Sequence, residues 1–349
     1  MLKNARHSHQ FFTYITTFLV VLLIAVTLFS ALNGRVTVSV SDYFSYLLGH
    51  KDALSLQHQF IIHQIRLPRT LLCLITGAIL ALCGAIMQGL FRNPLADPGI
   101  IGVSSGATLG AAVAIVLIAQ LQVTLTETSE LLVKPFFAFA GGAISTLVVY
   151  RLGTKKQKTS VMAMLLAGIA ITAITGAGVS FLSYISDSSA LRELSLWSMG
   201  SFSGAQWQQV GLALTVLVVI FIVAQYQSRG LNAMLLGENE AAHLGLSVQF
   251  IKRLLILITA IGVGTTVSFC GIIAFIGLVV PHIARMIVGV DHKKLLPVST
   301  LLGAILLLLA DLLSRVILTN SELPVGIVTS LIGAPFFLYL LTRQREAFI

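Results

Sequence analysis

Ten apolar segments of about 16 to 25 residues, separated by short polar loops, divide this chain along its whole length. A bilayer core about 30 Å thick is crossed by about 20 helical residues, and its dry interior makes each crossing segment satisfy its own peptide groups. The pattern predicts an all-α polytopic membrane protein with about ten transmembrane helices. They fall at 11–32, 70–90, 99–119, 135–150, 161–185, 210–226, 254–271, 272–290, 295–312 and 325–341. The unbroken apolar run 254–290 would reach about 55 Å as one helix. It is therefore expected to fold back near Gly271.

Only 10% of the residues are charged and 56% are hydrophobic, whereas a soluble protein carries about a quarter charged. The net charge of +9 sits in the loops between apolar segments, which argues against nucleic acid as a partner and for a lipid membrane. With the N-terminus inside, fifteen of the 22 Lys and Arg fall on inner loops. That bias follows the positive-inside rule and puts both termini on the cytoplasmic side. The first apolar run is too long for a signal-peptide core and reads as a retained span. Cys73, Cys83 and Cys270 lie inside apolar segments, with no metal or disulfide spacing, and read as packing residues.

Two helices dense in Gly and Ala, within 66–107, flank a polar hinge holding Asn93, Pro94, Leu95, Asp97 and Pro98. Small residues let helix backbones approach closely in a membrane. Broken backbone at that depth survives only where protein or an aqueous cavity satisfies it. The hinge therefore reads as a gate on a transport path, with Gln88 on that path. An internal echo, displaced by 187 positions, pairs Arg66 with Arg253, Gly77 with Gly264 and Gly84 with Gly271. With opposite entry sides it has the form of an inverted repeat.

The largest inner loop, 228–253, sets Leu231, Met234 and Leu235 at helical spacing. Gly237 is expected to break the backbone, and Glu238 to Leu244, including Ala241, to form a second short helix ahead of Gly245. A helix lying on headgroups is the plain alternative; two helices bent about a glycine suit a protein partner better. The chain has no phosphate-binding loop, so any ATP must be hydrolysed elsewhere. Asp311 and Arg315 are spaced for an i,i+4 ion pair, a better reading than an ion-coupling site. Arg66 and Arg69 flank Pro68 at a helix start and are expected to project outward, beside Arg315, towards acidic residues of an external protein. Simple anchoring at the headgroups is the alternative. His282 reads as a structural histidine, and no metal site is expected.

Several ordered blocks carry a resemblance: R-L-P-R at 66–69, the G-x-x-x-Q-G-L-x-R-N-P-L-A-D-P block at 84–98, and L-G-E-x-x-A-x-x-L-G at 236–245. F-I-G-L-V-V-P-H-I-A-R at 275–285 and E-L-P-V-G-I-V-T-S-L-I-G-A-P-F-F at 322–337 complete them. Together they resemble the FecCD family, permeases of type II ABC importers for iron–siderophore complexes, haem and cobalamin. The resemblance implies a single permease domain over 1–349 with the cobalamin-permease-like fold, in the bacterial inner membrane. It implies a homodimer, two cytoplasmic ATPase subunits that use ATP and magnesium, and a periplasmic substrate-binding protein. By the same resemblance Arg66, Arg69 and Arg315 dock the binding protein, and Leu231 to Gly245 couples to the ATPase. Asn93, Pro94 and Leu95 would form the inner gate, with a contribution near Thr159, and the permease itself would hold no cofactor.

An iron complex is the expected cargo, haem ahead of a siderophore; Arg192, on the outer side, reads first as an interfacial anchor, with a haem propionate as the alternative partner. A cobalamin permease of the same family, or an ion-coupled secondary transporter, are the alternatives.

Overall fold

The computed structural model describes residues 2–34, 36, 38–50, 55–120, 127–155, 158–318 and 321–348. Arg35, Lys51 and Lys156, which enter the loop-charge count, lie outside them. In chain order the elements are α1 (Leu2–Leu32), α2 (Val40–Leu47), α3 (Leu56–Phe60), a π turn (Ile61–Arg66), α4 (Leu67–Phe91), a 3-10 turn (Pro98–Ile101), α5 (Val103–Gln120) and α6 (Glu127–Gly153). A two-stranded antiparallel hairpin, β1 (Thr154–Lys155) and β2 (Lys158–Thr159), leads to α7 (Val161–Ile185), α8 (Ser188–Ser198) and α9 (Trp207–Tyr226). The chain ends with α10 (Ser228–Leu236), α11 (Glu238–His243), α12 (Val248–Cys270), α13 (Ile276–Val288), α14 (His292–Val316) and α15 (Val325–Phe348).

Among the described residues eight helices are long and apolar enough to cross a membrane, and two shorter apolar ones, Ile276–Val288 and Val325–Tyr339, bring the apolar set to ten. Apart from that short hairpin, the regular elements among the described residues are helical, as the spans require, and the fold is that of a polytopic all-α protein. The fold-back of the 254–290 run falls where expected, because Gly271 adopts φ 71° between α12 and α13. The helix start expected at Pro68 does not occur. Pro68 lacks an N–H and crowds the preceding turn, and the chain responds by widening into the π turn while staying helical from Leu56 to Phe91.

The long helix α4 is the centre of the bundle, buried along nearly its whole length against α14, α13, α12 and α9. Its small residues explain that position. A Cβ at Gly77 would collide with the Gly303 carbonyl oxygen of α14, so only glycine lets these backbones meet. By contrast, α7 buries only Met164, Ala167, Gly168 and Thr175. Its remaining apolar surface suits lipid or another subunit. The echo at 187 residues aligns α4 with α12 but sets the hinge region against helix α13, so the equivalence stops near Gly84 and Gly271.

Candidate functional site

Arg66, Arg69 and Arg315 cluster at one end of the bundle, but they do not project outward. Arg66 and Arg69 are only 5% and 8% exposed, and the Arg315 side chain is 7% exposed. The reason is the end of α1. The last carbonyls of a helix have no partner within it and carry partial negative charge. The Arg66 guanidinium donates to the carbonyls of Ala31 at 3.0 Å and Leu32 at 2.7 Å, and also to Val36 O. Arg315 donates to Asn33 O at 2.9 Å and to Ser30 Oγ at 2.6 Å. Two arginines thus cap one helix.

Arg69 faces a different partner. Its Nε and Nη2 donate to Asp311 Oδ1 at 3.1 and 2.9 Å, and its Nη1 donates to Glu322 Oε2 at 2.7 Å. Asp311 is fully buried and also meets Arg315, 3.1 Å from its Oδ2, which is the expected i,i+4 pair. Sequence spacing shows that pair but not Arg69, whose contribution comes from a helix 242 residues earlier. The available signal was an intramembrane carboxylate that needs more than one partner. In this conformation these arginines are held by the bundle itself, through the end of α1 and Asp311. Nearby, burial pushes the Tyr43 phenol up to about 12.

At the opposite end lies the loop of residues 228–253. As expected, Gly237 breaks the helix at φ 136° and the chain resumes as α11. Its residues divide by face. Leu231, Met234 and Ala241 are buried feet packed into the bundle, while Leu235, Gly237 and Glu238 are half-covered. The exposed ledge consists of Leu236, Asn239, Glu240, Ala242, His243, Leu244 and Gly245. Leu236, Asn239 and Glu240 were not singled out from sequence, since spacing alone does not say which side of a short helix faces the bundle.

Two ties, each anchored on a buried residue, hold this loop. Lys252, only 1% exposed, donates from Nζ to Glu238 Oε1 at 2.5 Å and to Thr159 O at 3.1 Å, joining α11 to the β hairpin. On α10, Asn232 Nδ2 donates to Asp291 Oδ1 at 2.7 Å, and Asn232 Oδ1 accepts from His292 N at 2.9 Å.

The hinge after α4 is built as a polar turn. Arg92 takes a left-handed conformation at φ 50°, and Asn93 N donates back to Gln88 O at 3.2 Å. Asn93 Oδ1 accepts from Leu95 N at 2.9 Å, while Asp97 Oδ1 accepts from Gly99 N at 2.7 Å and opens the 3-10 turn. Burial holds the Asp97 carboxyl above its ordinary range, although the Gly99 bond pulls the other way. Asn93 is exposed, and Pro94 and Leu95 are half-buried.

Gln88 does not line an open path. It is 1% exposed, and its amide donates to Leu278 O at 3.0 Å, joining α4 to α13. Arg192 is exposed on α8, beside Ser188, Ser189, Glu193 and Leu196. An open depression of about 400 Å³ beside the hinge, between α5 and α7, carries hydroxyls from Ser104, Ser105, Thr108, Thr172 and Thr175. Sequence reading passed over this row, because hydroxyls in spans more often bond their own helix.

The FecCD transport family matches residues 22–343. The hemin transport system permease protein HmuU of Yersinia pestis is 44% identical over 329 residues, 94% of this chain and 95% of that protein. A cobalamin import system permease protein BtuC of Halobacterium salinarum is 46% identical over 288 residues, 82% and 74% of the two chains. A solved structure described as an inward-facing conformation of a metal-chelate type ABC transporter superposes with a TM-score of 0.82 at 32% identity, over 95% of this chain and 99% of its own. Span pattern, helix order and near full-length likeness converge: the chain belongs to the FecCD transport family, as a multi-pass permease subunit of a type II ABC importer.

Proposed function

We propose that this chain carries an iron complex, hemin first among them, from the periplasm to the cytoplasm across a bacterial inner membrane. It works by alternating access as one half of a homodimer with both termini inside. Two cytoplasmic ATPase subunits, using ATP and magnesium, drive it, and a periplasmic substrate-binding protein delivers the cargo. The permease itself holds no cofactor. The observation that carries this reading is the α10–α11 pair, an exposed ledge of Leu236, Glu240 and Leu244 standing on the buried feet Leu231, Met234 and Ala241. A ledge so anchored offers apolar and acidic contacts to a soluble partner and cannot move without moving the bundle beneath it. The nearly full-length likeness to a hemin permease supports hemin as cargo. The hydroxyl-lined depression offers acceptor oxygens to a cargo beside the hinge, and Arg192, in a separate depression on α8, a cation for a propionate.

Cobalamin is the second reading, favoured by relatives of comparable identity. Asp311 weakens the ion-coupled alternative, since its carboxylate is already held by Arg69 and Arg315. The test is uptake into liposomes holding the permease, its ATPase and its binding protein, with hemin, a ferric siderophore and cobalamin offered separately. Hemin entry that stops when hydrolysis is blocked is the expected result. Equal filling with hydrolysis blocked overturns the ATP-driven mechanism, and entry of cobalamin alone reassigns the cargo.

A further inference from the structure

The tie made by Asn232 reaches further than α14. Its Oδ1 sits 2.8 Å from His292 Nδ1 as well as 2.9 Å from His292 N. An amide oxygen only accepts, so Nδ1 carries the ring proton and the tautomer is fixed. The ring is buried, at 1% exposure of the residue, and its other nitrogen, Nε2, has no hydrogen-bond partner. That edge abuts Gly89: a Cβ there would run into Nε2, which leaves no slack between imidazole and backbone. Gly89 is in the last turn of α4, next to Gln88, whose carbonyl accepts the first backbone hydrogen bond of the hinge from Asn93. A continuous chain of packed contacts therefore runs from α10 through Asn232 and His292 to the hinge.

We propose that Asn232 and His292 are positioning residues that pass displacement of the α10–α11 pair to the Asn93–Asp97 hinge. This rests on the reading of that pair as the ATPase contact. Packed imidazole on one side and three hydrogen bonds on the other make the link stiff in both directions, as transmission requires. Asp291 completes it by accepting from Asn232 and, with the same Oδ1, from Lys293 N at 3.1 Å, which fixes the start of α14.

The test uses the full permease–ATPase complex, with a nitroxide at Arg92→Cys, an exposed position beside the hinge; the three native cysteines are buried. Without other substitutions, ATP with vanadate is expected to change the label's mobility. Asn232→Ala is expected to abolish that change and lower uptake at least tenfold in complexes that still co-purify with the ATPase. Asn232→Ser, which keeps one acceptor, gives an intermediate response. The swap Asn232→Asp with Asp291→Asn rebuilds the 232–291 bond with donor and acceptor exchanged and keeps an acceptor for both His292 nitrogens, while the Lys293 N bond is lost, because the new amide nitrogen takes the place of the oxygen that accepted both; it recovers both signals in part. A full nucleotide response in Asn232→Ala, or no recovery in the assembled swap variant, overturns the proposal. No nucleotide response in the otherwise unsubstituted complex overturns the ATP-driven reading, and the transmission link with it.

Discussion

Arg69 and Asp311, 242 residues apart, meet through two hydrogen bonds of 3.1 and 2.9 Å inside the packed helices. Their union joins α4 to α14 at the end where Arg66 and Arg315 cap α1.

Removing one side of a buried ion pair strands the other charge. Asp311→Ala leaves both Arg69 and Arg315 facing each other without the shared carboxylate. A loss of about 3–5 kcal/mol is expected, read as a large drop in the thermal stability of detergent-solubilised protein. A change within a degree of the parent protein would show that the pair carries little.

Charge reversal separates a structural from a docking role. Arg69→Glu would set three carboxylates together beneath the membrane surface, so folded, membrane-extracted protein should fall sharply. Normal yield of folded protein with weakened binding-protein affinity is the opposite outcome, and would restore direct docking.

The α4–α14 contact should tolerate no added side chain. Gly303→Leu must push into Gly77 and Ala81, with an expected cost of about 1–3 kcal/mol or more. Thermal unfolding measures it, and the matching change at the exposed Gly204, where a Cβ meets nothing, should be nearly silent.

Hinge stability should depend on pH through Asp97. Its folded-state affinity for protons is raised, so its favourable contribution is full below the ordinary carboxylate range and is lost as pH rises through its folded value. Asp97→Asn keeps the oxygen that accepts from Gly99 and removes the buried charge. Unfolding followed from pH 4 to 8 should show the variant equal to or more stable than the parent at the upper end. Asp97→Ala, which lacks the cap, should be less stable throughout by about 1 kcal/mol. An Asp97→Asn protein weaker than the parent at pH 8 would count against the sign.

The span boundaries, the break at Gly271 and the helix–Gly237–helix loop were legible because each depends on a local property: apolar length, or the freedom of a glycine to adopt positive φ. The linear chain also supplied the ordered blocks that mark the family, and the i,i+4 pair of Asp311 with Arg315. Side-chain direction was another matter. Pro68 looked like a helix start, yet the chain absorbed it as a π turn, and that choice, made by packing, turned Arg66 and Arg69 inward. Gln88 likewise proved to be a tie between α4 and α13 because α13 happens to present an available carbonyl there. Tertiary structure alone decided which orphaned helix-end carbonyls lay within reach of which arginines, and that Asn232 would find His292. A buried polar group is satisfied by whichever partner packing delivers, and that partner has no fixed distance along the chain.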